Sequence, residues 1–267
     1  MTLVWIVPLG LAVGIVLGAL GGGGAILTVP ILVYVLAQTP SAATTGSLVI
    51  VALISLVGLL PHHRVGNVRM RDGLVFGVLG VVGSLVGSRL NAAVPAPILM
   101  TAFAALMLVV AILMTVKRRG SAGRRVVGDD GKSAAPSDEA GHRGWGVLIG
   151  AATGVGLLTG FFGVGGGFAV VPALVLVLGF SMPVAVGTSL LVIVINSLTA
   201  LLGRLGTGLE IDWPLILAFS VFGAAGSLLG GRIAQRVDPQ RLSLAFTILL
   251  VLVAAYVALQ SVPQLLG

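Results

Sequence analysis

Two stretches place residue types suited to holding an anion inside an apolar chain. Residues 21–30 read GGGGAILTVP, and residues 163–172 read GVGGGFAVVP. Glycine is the poorest ordinary helix former and the most permissive backbone. In a membrane, irregular backbone is tolerated only where protein buries it or it lines a polar cavity. A helix restarting near Ala25 or Phe168 exposes its first backbone N–H groups, and its dipole adds partial positive charge there. Glycine lets a ligand approach those groups without side-chain obstruction. The chemistry on offer is binding of a small anion. Its candidates are Gly21, Gly22, Gly23, Gly24 and Ala25 in one run, and Gly163, Gly165, Gly166, Gly167 and Phe168 in the other. Close helix packing is the competing use of such glycines.

Small polar residues follow each run. The first half offers Thr44, Thr45, Ser47 and Ser55, and the second offers Thr188, Ser189, Asn196, Ser197 and Thr199. Their hydroxyl and amide groups can donate to an oxyanion, so Thr45, Ser47, Thr188, Ser189 and Asn196 are the candidates to complete a shell. Ser and Thr can equally satisfy their own helix backbone, and Asn196 can join two helices.

Other chemistries find less support. His62, His63 and His142 have no Cys, Asp or Glu at ligand spacing, so no metal site is expected. His62 is expected to be a solvated histidine at a helix end, with proton sensing as the alternative. There is no cysteine, and no acid pair lies within an apolar run. The glycine runs lack the Lys-Ser/Thr of a phosphate-binding loop. No enzyme activity, cofactor or nucleic-acid partner is expected. Energy would come from a coupling ion, H+ or Na+, or from the substrate's own gradient.

The elements that must position these residues are membrane helices. The chain is 57% hydrophobic and 9% charged, whereas an ordinary soluble domain carries about 25% charged residues. Apolar runs long enough to cross a bilayer recur along it. No cleavable signal peptide is expected, because the first basic residue is Arg64. One hydrophilic stretch, residues 117–143, interrupts the chain and holds seven of its 15 basic residues. Its composition suits a flexible linker on the cytoplasmic side. It divides a first transmembrane repeat, 1–116, from a second, 144–267.

The two halves repeat each other. A shift of 142 carries Gly14, Gly18, Gly21, Gly23, Gly24, Val29 and Pro30 onto Gly156, Gly160, Gly163, Gly165, Gly166, Val171 and Pro172. A shift of 143 carries Gly80, Gly83, Gly87 and Arg89 onto Gly223, Gly226, Gly230 and Arg232. Tight helix contact is the expected role of this second glycine set. Residues 3–37 as one helix would be about 52 Å long, too long for a core of about 30 Å at ordinary tilts. A break at the glycines is therefore expected, followed by a short half-helix or bent span. Basic residues at 61–72 and 232–241 fall on the linker's side if each half crosses an odd number of times, which makes the repeat inverted. Eight spans with parallel halves is the alternative. The expected fold is an all-α polytopic membrane protein of two homologous repeats. Each has a Gly-broken first segment and three transmembrane helices, about 8–10 segments in all.

The doubled pattern G-x-G-G-(G/A)-x-x-x-V-P-x-L, with a polar linker between its copies, resembles the TauE/SafE family of sulfite and organosulfonate exporters. It rests on Gly21, Gly23, Gly24, Val29, Pro30 and Leu32, and on Gly163, Gly165, Gly166, Gly167, Val171, Pro172 and Leu174. The resemblance implies a multi-pass protein of the plasma or inner membrane that exports a small anion, sulfite or an organosulfonate such as sulfoacetate. An anion channel is the main rival, and a membrane scaffold or embedded enzyme a lesser one. A homo-oligomer is left open.

Overall fold

The structure, a computed structural model, describes residues 2–91, 96–123, 145–162, 167–202 and 212–266. Among these residues the chain is helical, with no strand. In chain order the helices are α1 (Thr2–Leu20), α2 (Gly23–Pro30), α3 (Pro40–Arg64), α4 (Met70–Asn91), α5 (Ala96–Gly123), α6 (Trp145–Phe162), α7 (Gly167–Leu176), α8 (Met182–Leu202), α9 (Trp213–Arg236) and α10 (Pro239–Leu266).

Local chemistry sets several boundaries. Thr39 caps α3, its hydroxyl accepting the Ala42 N–H at 3.4 Å, and Pro40 takes the first helical position where a missing N–H costs nothing. Asp212 caps α9 in the same way, accepting the Leu215 N–H at 3.2 Å. Pro30 ends the regular part of α2, and Ile31–Val35 continue as a π-helical turn. The proline removes an N–H and crowds the preceding turn, which loosens the winding.

Both half-helices end alike. Ala37 and Gly179, 142 residues apart, take the left-handed conformation with φ of 52° and 73°. The Gln38 N–H donates to the Leu32 carbonyl at 2.9 Å, and the Phe180 N–H to the Leu174 carbonyl at 3.0 Å.

Among the described residues, five helical segments are long and apolar enough to cross a membrane: Ala42–Arg64, Met70–Gly87, Met182–Leu202, Trp213–Arg236 and Pro239–Leu259. Shorter apolar helices include Trp5–Leu20 and Gly146–Phe162. Large apolar side chains face outward along them, among them Val82 on α4, Ile112 on α5 and Leu252 on α10. So broad an apolar exterior suits lipid rather than water.

The halves interlock. Helix α1 packs on α9, α6 on α4, α5 on α10 and α3 on α8. The second glycine set makes the expected close contacts, and it makes them between halves. A Cβ at Gly14 would overlap the Gly223 backbone, and one at Gly156 would overlap the Gly80 backbone. Gly18 meets Ser227 as Gly160 meets Ser84. Gly226 meets Leu11 as Gly83 meets Thr153.

Candidate functional site

Helix α1 stops at its glycines for a local reason. Gly21 adopts φ +71°, a left-handed conformation that only glycine enters freely, and its N–H bonds the Leu17 carbonyl at 2.8 Å. The chain then turns sharply. Gly24, seven residues after Leu17, lies so close that a Cβ on it would stand 2.6 Å from the Leu17 Cβ. In a continuous helix those residues would be about 10 Å apart along the axis. Helix α2 therefore starts beside the last turn of α1 instead of prolonging it. This is the break expected from length alone.

The start of α2 is buried, and no side chain caps it. Gly22 and Gly24 are both enclosed. The first turn of α7 meets it: a Cβ on Gly167 would lie 2.9 Å from the Gly22 Cα. The two half-helices thus begin against each other. Thr28, absent from the expected site, is wholly buried in α2 and donates its hydroxyl to the Gly24 carbonyl at 3.2 Å. Its signal was present: it is the one polar side chain in GGGGAILTVP.

The expected shell residues divide. Ser189 is at the break, since a Cβ on Gly21 would overlap its hydroxyl oxygen. That hydroxyl donates to the Val186 carbonyl at 2.8 Å. Ser47, its counterpart, is buried and donates to the Thr44 carbonyl at 2.8 Å. Thr45 is buried on α3. Thr188 is turned toward the α3–α4 connection, where its hydroxyl accepts the Arg69 N–H at 3.1 Å. Asn196 stands two turns along α8 beside Gly80, whose Cβ position is 3.7 Å from its Oδ1. That oxygen is buried and has no hydrogen-bond partner among the described residues. Gly23 and Ala25 form the first turn of α2, and Phe168 that of α7. Gly163, Gly165 and Gly166 lie outside the described residues.

His62 corrects an expectation. It is fully buried rather than solvated, and its Nε2 lies 2.9 Å from the Gly18 carbonyl oxygen in the last turn of α1. A helix that stops inside an apolar protein leaves carbonyls in need of donors, and His62 supplies one. Its neighbours His63 and Arg64 are exposed, which is why their cluster read as an interface. Among the described residues no group of His, Cys, Asp and Glu could hold a metal ion.

Fold and site together define a helical, multi-pass membrane protein in which the first turn of α7 meets the start of α2. The family described as Sulfite exporter TauE/SafE matches residues 6–257. The chain belongs to that family, whose members it resembles along nearly its whole length, and it is a membrane transporter. A probable membrane transporter protein of Xylella fastidiosa (strain 9a5c) is 32% identical over 256 residues, covering 93% of this chain and 92% of that one. The probable membrane transporter protein YdhB of Bacillus subtilis (strain 168) is 29% identical over 224 residues, 82% of this chain and 85% of its own. YunE of the same strain, also a probable membrane transporter protein, is 27% identical over 268 residues, 95% and 96% of the two chains. No solved structure matches the chain.

Proposed function

We propose that the protein is a secondary transporter that exports a small oxyanion, sulfite or an organosulfonate such as sulfoacetate, across the plasma or inner membrane. The anion binds where α2 and α7 begin. The observation that carries this reading is the meeting of Gly167 with Gly22 at two buried helix starts. Two N-termini converging on one point offer backbone N–H groups and partial positive charge to one ligand. Matching Gly-interrupted segments are where transporters built from repeats bind substrate.

The cradle comprises Gly21, Gly22, Gly23, Gly24 and Ala25 with Gly163, Gly165, Gly166, Gly167 and Phe168. Ser189 lies against Gly21, and Ser47, Thr45, Thr188 and Asn196 form the wider shell. The paired contacts, Gly14 on Gly223 with Gly156 on Gly80, and the like-ended half-helices support a duplicated, inverted architecture of 1–116 and 144–267 around a linker. Alternating access then moves one interlocked set of helices against the other.

Purified protein in liposomes tests the reading. Saturable flux of sulfite or sulfoacetate, accelerated by unlabelled anion on the far side, is the expected result. Flux that stays linear in concentration would make it a pore. Folded protein that moves neither anion would sink the proposal.

A further inference from the structure

His62 is the one titratable side chain that is fully buried among the described residues. The other charged groups near it stay outside. Helices α1 and α8 carry no charged residue between Thr2 and Leu20 or between Met182 and Leu202. Arg232 and Arg236 of α9 are exposed, as are His63 and Arg64 on its own helix. At the turn after α3, Arg69 is held by the Phe180 ring at 4.8 Å and by Asp72 at 3.8 Å.

The hydrogen bonds define what the ring can hold. The Gly18 carbonyl can only accept, so the Nε2 facing it carries a proton. Nδ1 is buried and has no partner among the described residues. The site therefore holds one ring proton in place and leaves a lone pair ready for a second. The Gly18 carbonyl belongs to the last turn of α1, the negative end of that helix's dipole. A second proton at Nδ1 would still find no acceptor, so binding it must shift the ring or its neighbours.

Those neighbours belong to four helices. The Gly187 Cβ position on α8 is 3.0 Å from the His62 Cβ, and that of Gly231 on α9 is 3.7 Å from its Cδ2. With α1 and α3, they make the junction through which the interlocked halves would move. The same face of α3 runs back through Gly58, which touches the Ser227 hydroxyl, to Ser55. Both hydroxyls are wholly buried and unpartnered among the described residues, a polar track into an apolar bundle.

We infer that His62 is the proton-binding site that couples anion transport to a pH gradient. This rests on the anion-carrier reading above. The proton adds to the Nδ1 lone pair from one aqueous side and leaves it toward the other, with no other bond changed. The break then serves both ions: its anion cradle is the start of α2, and its proton site is the end of α1. Transporters use the two kinds of half-helix end in this way. A proton on His62, whose ring bonds the Gly18 carbonyl three residues before Gly21, favours an anion bound just after Gly21, and the reverse follows by linkage, so the two cross together and export is driven by the anion's own gradient.

The test uses liposomes holding wild-type protein or His62→Gln, with sulfoacetate as probe. Glutamine keeps an N–H for the Gly18 carbonyl and cannot titrate. The wild type should concentrate sulfoacetate about tenfold per unit of imposed pH gradient for each coupled proton. His62→Gln should still exchange sulfoacetate for sulfoacetate, more slowly and without pH dependence, and should not accumulate it. Gradient-driven accumulation equal to wild type would make His62 a helix cap only and overturn the assignment. A trapped pH dye in wild-type vesicles gives a readout that needs no variant. Sulfoacetate movement without proton movement overturns the coupling while leaving the carrier standing. If wild type moves neither sulfoacetate nor sulfite, the carrier reading falls and the coupling falls with it.

Discussion

Gly167 lies directly against Gly22: a Cβ at residue 167 would stand 2.9 Å from the Gly22 Cα and 3.1 Å from its carbonyl oxygen. Backbone cannot yield as a side-chain tip can, so any larger residue pushes the starts of α7 and α2 apart. Overpacking of this kind costs about 1–3 kcal/mol. Gly167→Val should therefore slow sulfite or sulfoacetate flux by about 5- to 150-fold if that cost falls on the transport cycle. Liposome flux and thermal unfolding in detergent, measured on the same preparation, check it. Wild-type flux in Gly167→Val would separate the close approach from transport.

Ala37 and Gly179 occupy equivalent ends of the two half-helices with different side chains. Both are left-handed, at φ 52° and 73°. An L-residue pays about 1–2 kcal/mol there, and glycine does not, although glycine loses more chain entropy on folding. Ala37→Gly should stabilise the protein by about 1 kcal/mol, and Gly179→Ala should destabilise it by a similar amount. Opposite shifts in unfolding temperature are the expected readout. Shifts of the same sign would contradict the shared conformation.

The break and the short helices after it were legible because helix rise and bilayer thickness are fixed quantities. The sequence also shows glycine, proline and serine recurring in register at shifts of 142 and 143. Helix partners were not legible. Nothing in the spacing of Gly80, Gly83 and Gly87 says that they pack on α6 of the other half. Asn196 is seven residues from Ser189, so the rise of α8 carries it about 10 Å from the break, to Gly80. His62 shares its end of α3 with exposed His63 and Arg64, and only the arrival of α1, α8 and α9 buries it.

Helix α6 contains its own control for the packing role of glycine. Gly154 has no atom within 4 Å of its Cβ position, whereas that of Gly156 is 2.7 Å from the Gly80 Cα. Gly154→Ala should be neutral or stabilise by up to about 1 kcal/mol through helix propensity. Gly156→Ala should cost about 1–3 kcal/mol because α4 must move away. The mirrored substitution Gly14→Ala, against Gly223, should cost about as much as Gly156→Ala by the same overpacking. Thermal unfolding of the three variants decides this. A Gly156→Ala protein as stable as Gly154→Ala would mean that the crossing is looser than described.

Asn196 breaks the likeness of the halves in a way that separates packing from function. The residue 142 positions earlier is Ile54, fully buried and inserted against Gly223. Asn196 takes the matching place beside Gly80, where it offers an amide with an unpartnered buried oxygen. Such an atom costs about 1–3 kcal/mol, so a purely structural position would favour the apolar residue. Asn196→Leu should leave unfolding temperature unchanged or raise it, while anion flux falls at least severalfold. The fall follows if the amide belongs to the substrate's path, for which the stability cost is retained. Flux at the wild-type rate in a more stable Asn196→Leu protein would assign the side chain to packing and remove it from the proposed shell.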